Sequence, residues 1–337
     1  MESPEYKGFL PRIPLRIETD DMEFIPAENL PEEYSHLPIL AAKISFLRNE
    51  NADVICQTVE LDDFTIRTHE VYAMENILLI PHTKKEIFAL HFMAGGEIAA
   101  ELSDSGPYMM CKREMALFRL LPSKHKAIMK QWEVMFSFHI DILPETLGRL
   151  AAKYPELQQL ASKTLREVSA PVNQDPYEIN QVCMNLIDEI CNCKLVGHQA
   201  KVFMHRCCLE LYFNFAAQDK LSSQPMRIFP LYITQKLPDA LIFLKQHTGE
   251  AFSMAKMAVT LDLTMQELRE AFIDSYFMTP EAYHLQQQML HAYKMAMNAT
   301  CTLEEIGRSI AMNNVEEFIV LFESYFNCSI VTIRNAQ

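Results

Sequence analysis

The sequence predicts an α+β chain, an antiparallel β-rich half followed by a helical half. Three observations carry this. Between Ile39 and Asp141, runs of partial apolar alternation are separated by turn residues, and a period of two marks strands. Near Pro144 the apolar spacing changes to that of helices. From Phe229 onward, two blocks, 253–272 and 302–322, repeat one pattern of caps and apolar stripes.

Residues 1–38 are polar and spaced by Pro4, Pro11, Pro14, Pro26 and Pro31. They read as an extended N-terminal arm with one short strand at Leu15–Ile17. Residues 39–143 form the β-rich domain. Strands are expected over 42–47, 54–61, 64–72, 77–80, 86–92, 97–102, 115–120 and 133–139, broken by polar clusters, Gly95-Gly96 and the Ser103–Pro107 turn. So many short strands suit a small antiparallel barrel or jelly roll. His69, His82, His91, His125 and His139 fall one per segment, with no pair two residues apart. Each therefore reads as structural, since an isolated His on a strand is an easy hydrogen-bonder. Trp132, Phe136 and Phe138 read as core or lining.

Residues 144–221 turn helical and read as a linker or dimerisation region. Short helices start at Pro144 and Glu156. A longer one is expected from Asp175 as cap, with Pro176 at the first helical position. Ile179, Val182, Cys183, Leu186, Ile187 and Ile190 share one face. Gly197 breaks this helix, and another runs from Ala200 to Gln218. Two apolar-faced helices make an antiparallel hairpin, able to dimerise or to pack within its own chain. The boundary falls at Ser222–Pro225, and the C-terminal domain spans 226–337.

Net charge is −14, from 30 Lys and Arg against 44 Asp and Glu. So acidic a chain argues against non-specific binding to nucleic acid or anionic membranes. No apolar run approaches the roughly 20 residues of a spanning helix, and the N-terminus does not read as a secretory signal. A soluble, cytoplasmic protein without membrane contact is expected. The nine cysteines are an odd count without framework spacing, which fits reduced thiols. The group from Cys183 to Cys208, near His198 and His205, lacks zinc-ribbon spacing and reads as packing. With eight glycines, no phosphate loop, nucleophile elbow or dinucleotide fingerprint is present. No catalytic residue, metal or cofactor is assigned, and an enzyme is not expected.

The C-terminal repeat carries the functional signal. Thr264 precedes Glu267 by three residues, Thr302 precedes Glu305, and Asn314 precedes Glu317. A small polar cap followed by an acid at the third helical position satisfies free backbone N–H groups from both sides. Leu268, Ala271 and Phe272 then form one stripe, and Phe318, Leu321 and Phe322 the other. Two helix-turn-helix units are expected, at 253–276 and 302–326. Thr279 and Pro280 open a helix between them that runs to Asn298.

This arrangement resembles the DNA-binding domain of the AraC/XylS family of transcription regulators. Tyr283, Ala292, Ile306, Phe318 and Phe322 fall where that family places apolar anchors. The chain departs from the family pattern at Asp262, Phe277 and Asn327, where glycines are usual. It departs also at Gln288, usually Arg, and at Ala311-Met312, usually Gly-Phe. Phe277 would adopt a left-handed backbone only with strain, whereas Asn327 tolerates one. The resemblance implies a cupin-like β-barrel sensor before the hairpin, a small-molecule effector in it, a homodimer and double-stranded DNA as partner. It implies that helices 265–276 and 315–326 enter successive major grooves. Arg269 and Gln266 have the donors to read base edges. Thr264, Asn313 and Asn314 sit where phosphates meet helix N-termini.

A second reading belongs to a different class. From Leu221 to the end there are eight Lys or Arg against twelve Asp or Glu, and 315–326 carries no Lys or Arg at all. Duplex affinity rests largely on neutralising phosphates. An acidic surface with Glu316, Glu317, Ile319 and Val320 would suit a protein partner instead, as an interaction module that keeps the fold with DNA binding reduced or lost.

Overall fold

The computed structural model describes residues 15–18, 23–26, 30–163, 167–173, 175–222, 225 and 227–335. The first part of the expected arm, and the expected boundary at Ser223 and Gln224, lie outside these residues. The chain divides into two compact units, Met1–Ile179 with Ile187–Lys194, and Asn180–Leu186 with Leu195–Gln337.

The first unit is antiparallel β, as the alternation predicts. Its strands are β1 (Leu15–Glu18), β2 (Glu23–Pro26), β3 (Lys43–Arg48), β4 (Ala52–Glu60), β5 (Thr65–Ala73), β6 (Ile77–Thr83) and β7 (Ile87–Gly95). There follow β8 (Ile98–Leu102), β9 (Gly106–Met110), β10 (Glu114–Leu120), β11 (Lys126–Met129), β12 (Val134–Ile142), β13 (Ala170–Pro171) and β14 (Tyr177–Glu178). They make two sheets, a five-stranded one in the order β1-β6-β11-β8-β9 and a nine-stranded one whose main path is β13-β10-β7-β12-β5-β4-β3-β2. Each sheet is an open path rather than one ring of strands. Inner rows such as Leu79, Ala127, Ala116 and Val71 join one buried apolar cluster. The sequence misses β9 and β11. Ser103–Pro107 looks like a turn, yet Gly106 and Pro107 already pair with Leu102 and Glu101. β11 is four residues long, too short to show alternation.

Two further readings need correction. Trp132 is not core: it is 76% exposed at a positive φ of 67° between β11 and β12. Asp175 and Pro176 do not open a helix, because Tyr177 and Glu178 pair with Met115 and Glu114 of β10. The helix starts later, and Asn180 caps it by accepting from the Cys183 N–H at 3.1 Å.

The helices are α1 (Pro144–Lys153), α2 (Gln158–Ala161), α3 (Gln181–Cys191), α4 (Gly197–Leu221), α5 (Leu231–Thr234) and α6 (Leu237–Gln246). After them come α7 (Met254–Thr260), α8 (Met265–Tyr276), α9 (Pro280–Ala296), α10 (Leu303–Ser309), α11 (Val315–Phe326) and α12 (Ile330–Asn335). Phe272, Tyr283, Tyr293, Phe318 and Phe322 are fully buried and form the aromatic core of the second unit. The apolar faces expected to meet a second copy are covered by the chain itself. Val182, Cys183, Leu186, Ile187 and Ile190 on α3, and Phe203, Leu209, Leu211 and Phe215 on α4, are all buried. None of the nine cysteines is in a disulfide. Burial pushes the Cys191 thiol up to about 12 and the Cys183 and Cys208 thiols well above their ordinary range.

No helix among the described residues is long and apolar enough to cross a membrane.

Candidate nucleic-acid interface

The two helix-turn-helix units repeat in atomic detail. Ser253 caps α7 and Thr302 caps α10, each accepting from the N–H three residues on. Each first helix closes onto its turn through matching hydrogen bonds, among them Leu263 N–H to Ala258 O at 3.0 Å and Met312 N–H to Gly307 O at 2.8 Å. Asp262 and Ala311 occupy the same place in these turns, with φ of 50° and 62°. Beyond this point the second unit holds one extra residue, Asn313, before its next cap.

Helices α8 and α11 are then capped afresh. Thr264 accepts from the Glu267 N–H while Glu267 reaches back to the Thr264 N–H, a complete capping box. Asn314 Oδ1 accepts from the N–H groups of both Glu316 and Glu317. Such caps are worth about 1 kcal/mol each. Both helices end in a left-handed residue, Phe277 at φ 56° and Asn327 at φ 53°. The departures from the resembled pattern at Asp262, Phe277, Ala311 and Asn327 thus all sit at positive φ. At all four, residues with a side chain take the left-handed conformation that glycine adopts freely. Left-handed backbone costs a residue with a Cβ roughly 1–2 kcal/mol, least for Asp and Asn.

One glycine does survive where space forbids a side chain. A Cβ at Gly307 would lie 2.9 Å from Met312 O and 3.6 Å from the Phe318 ring. The turn of the second unit is tight because α10 meets it at a bare backbone.

Gln266, Arg269, Asn313 and Asn314 are exposed, as is Thr264. Four of these side chains, Thr264, Gln266, Arg269 and Asn314, are already engaged in different ways. Thr264 and Asn314 serve their caps, so phosphate would meet the flanking backbone. The Gln266 amide donates to Glu270 at 3.0 Å. Arg269 is paired with Glu281 on α9, a partner the sequence did not suggest; Glu267 and Asp274 are nearer in the chain. Other cations nearby are also matched with acids: Lys236 with Asp262 at 3.6 Å and Arg227 with Glu270 at 3.4 Å. The exposed face of α11 carries Glu316, Glu317, Val320 and Ser324, and with Asn314 and Leu321 these line a shallow depression.

Helix α4 positions both units, which the sequence did not reveal. Asn214, buried on α4, donates from Nδ2 to Tyr276 O at the end of α8, at 2.7 Å. Two turns earlier, Arg206 donates to Tyr325 O at the end of α11, at 3.1 Å. Its guanidinium lies over the Tyr325 ring, 3.7 Å from the centroid, and the Tyr325 hydroxyl donates to Glu210 at 2.7 Å. Each group serves carbonyls that a helix end leaves without intrahelical partners, and a cation there complements the helix dipole. Gln288 adds a tie between the units by donating to Thr248 O at 3.0 Å and Ile310 O at 2.8 Å.

The first unit holds a second polar cluster. β7, β12 and β5 are neighbours, and they bring His91, His139 and His69 together. His69 Nδ1 and His139 Nε2 are 2.8 Å apart, and the His91 and His139 rings lie 4.7 Å centre to centre. Arg67 and Asp141 form a buried ion pair beside them at 3.2 Å. Burial lowers His69 to about 3, with help from the Arg67 charge, and His91 to about 4. Burial, then the neighbouring His69, takes His139 well below the ordinary range. Burial thus favours the neutral form of all three, and His91 Nε2 and His139 Nδ1 have no hydrogen-bond partner among the described residues. Register unites residues that lie far apart along the chain.

No protein-family model matches the sequence, and no curated relative does. Solved structures do. The C-terminal domain of the response regulator yesN from Fusobacterium nucleatum is 19% identical, over 30% of this chain and 99% of that one, with a TM-score of 0.29. The DNA-binding domain of AdpA, a global transcriptional factor solved with a target DNA, is 15% identical over 30% and 90%, with a TM-score of 0.28. ToxT from Vibrio cholerae is similar over 81% of this chain and 98% of its own, at 10% identity and a TM-score of 0.33.

Proposed function

We propose that this protein is a sequence-specific DNA-binding transcription regulator of AraC type. The observation that carries it is the repeat itself: two helix-turn-helix units with the same turn bond and freshly capped second helices, joined by α9. A helix-turn-helix places its second helix in the major groove with the N-terminal residues at the base edges. Here those are Gln266 and Arg269 on α8, with Asn313 and Asn314 leading into α11. The Arg269–Glu281 pair is a surface pair of the kind worth about 0–1 kcal/mol, so a guanine edge can displace it. Backbone N–H groups flanking the Thr264 and Asn314 caps meet phosphates. Such a regulator works in the cytoplasm.

The effector belongs to this proposal as well. Its place in this proposal is the β unit, as the resemblance implies. The domain roles follow: residues 39–143 sense, 144–221 connect, and 226–337 read DNA. The test is recovery of genomic fragments by the purified full chain at low salt, followed by titration of the recovered duplexes. If no duplex binds even at low salt, the regulator reading fails.

One observation favours a second reading. The exposed face of α11 offers Glu316 and Glu317 and no cation, which suits a basic protein surface better than phosphate. In that reading the unit keeps its fold as a protein-interaction module, and affinity capture retains a protein where no DNA is retained.

A further inference from the structure

The five-stranded sheet has two apolar faces, and among the described residues only one is covered. Along its inner face Leu79, Ala127, Ala100 and Tyr108 are direct neighbours on β6, β11, β8 and β9 and pack into the buried cluster. One residue along, the outer face repeats the pattern. Leu78 pairs with Ile128, Ile128 with Ala99, and Ala99 with Met109. This row crosses four strands, and Leu78, Ile128 and Met109 are 42%, 58% and 50% exposed. Antiparallel sheets ordinarily present a polar outer face to water, and a contiguous exposed apolar row marks a binding surface.

The next row on the same face is charged. Lys126 pairs with Glu101 across β11 and β8, with Nζ 3.8 Å from the carboxylate and both side chains 62% exposed. These charges cancel, on a chain of net charge −14. A second copy meets no net charge on this row.

The arrangement is also self-complementary. Consider a two-fold axis parallel to the strands, between two facing sheets and above the β11–β8 seam. It places Ile128 of one copy over Ala99 of the other, a large side chain over a small one. It places Leu78 over Met109, and Lys126 over Glu101. Each of these six groups meets a suitable group, and each pairing occurs twice, as an isologous contact requires. Facing sheets pack about 10 Å apart with interdigitated side chains, which such large-over-small pairing allows.

We propose that the outer face of the five-stranded sheet is a self-association surface that takes a second copy of this chain about this axis. The surface is independent of the DNA reading, since it lies in the β unit and involves no residue of either helix-turn-helix.

The test is sedimentation equilibrium of the full chain at micromolar concentrations. The wild type is expected to dimerise. Ile128→Lys should weaken the dimer at least about tenfold with an unchanged circular dichroism spectrum, because the site is exposed in the monomer. Lys126→Glu alone should weaken it, and Lys126→Glu combined with Glu101→Lys should restore it. A monomeric wild type overturns the proposal, as does a dimer that Ile128→Lys leaves equally tight. A wild-type monomer that dimerises only after removal of residues 1–14 assigns the face to that arm and also overturns it.

Discussion

Arg206 of α4 lies over the ring of Tyr325 with its guanidinium 3.7 Å from the centroid, and donates to the Tyr325 carbonyl at 3.1 Å. The same guanidinium pairs with Glu210, which accepts the Tyr325 hydroxyl. One residue thus holds the C-terminal end of α11 by stacking, hydrogen bonding and charge. Both carboxylate and guanidinium are nearly buried, with side-chain exposures of 11% and 12%.

Removing one partner of a buried pair strands the other charge, at a cost of about 3–5 kcal/mol. Arg206→Ala should therefore destabilise the helical unit by about 3 kcal/mol in urea denaturation. Tyr325→Phe removes only a hydrogen bond to a charged acceptor and should cost about 1.5–3 kcal/mol. A double-mutant cycle should show strong coupling between them. Additive effects would mean that the stack and hydrogen bonds act separately.

The left-handed turn residues predict a stabilising change. Ala311 has φ 62°, where glycine carries no Cβ penalty. Ala311→Gly should raise stability by about 1 kcal/mol. Gly307→Ala should do the reverse, since its Cβ would meet Met312 O at 2.9 Å. Thermal melts of the two variants should move in opposite directions.

Acid should destabilise the β unit through its three imidazoles. Their folded pKa values are lowered, His69 to about 3 and His91 to about 4, against about 6.5 unfolded. Below 6.5 the unfolded chain takes up protons that the folded one refuses, so stability falls as pH falls through this window. Each excess proton contributes about 1.4 kcal/mol per pH unit. His139→Gln should flatten the fall between pH 6.5 and 4, followed by urea titrations at several pH values. An unchanged slope would show that the imidazoles titrate normally.

Arg269 is the only Lys or Arg in α8 and α11. If it makes one bidentate base contact, its loss costs about 1–3 kcal/mol, so Arg269→Ala should weaken specific binding roughly ten- to a hundred-and-fifty-fold. Non-specific binding should change little. The salt slope should be shallow, because each neutralised phosphate adds only about −0.9 and several cations already face acids. Duplex titrations at two salt concentrations read both effects. Equal weakening for specific and random duplexes would make Arg269 a phosphate contact.

The fold class and the helix caps were legible because their causes are local. Thr264 and Glu267 meet across one helical turn, as do Thr302 and Glu305, and any chain with these residues at this spacing offers the same bonds. The strand at Gly106–Met110 was not legible, because its turn-like opening is overruled by pairing with β8. The start of α3 was misplaced for the same kind of reason: Tyr177 and Glu178 are claimed by β10.

Of the candidate interface, the sequence supplied Thr264, Gln266, Arg269, Asn313 and Asn314 as a set of polar groups at helix starts. It could not supply the Arg269–Glu281 pair, nor the grip of Asn214 and Arg206 on the ends of α8 and α11. These join residues far apart in the chain, and no spacing rule connects them.

By itself, then, the sequence determined where the capped helices of the C-terminal repeat begin, where most of the longer strands alternate and that one helical unit is repeated, because backbone capping and burial periodicity are settled among near neighbours. Only the tertiary structure decided that three scattered histidines share one buried cluster, that the apolar faces of α3 and α4 are spent inside the chain, and that the row from Leu78 to Met109 is left bare. Register and packing set these relations, and both depend on contacts between segments that the linear order keeps apart.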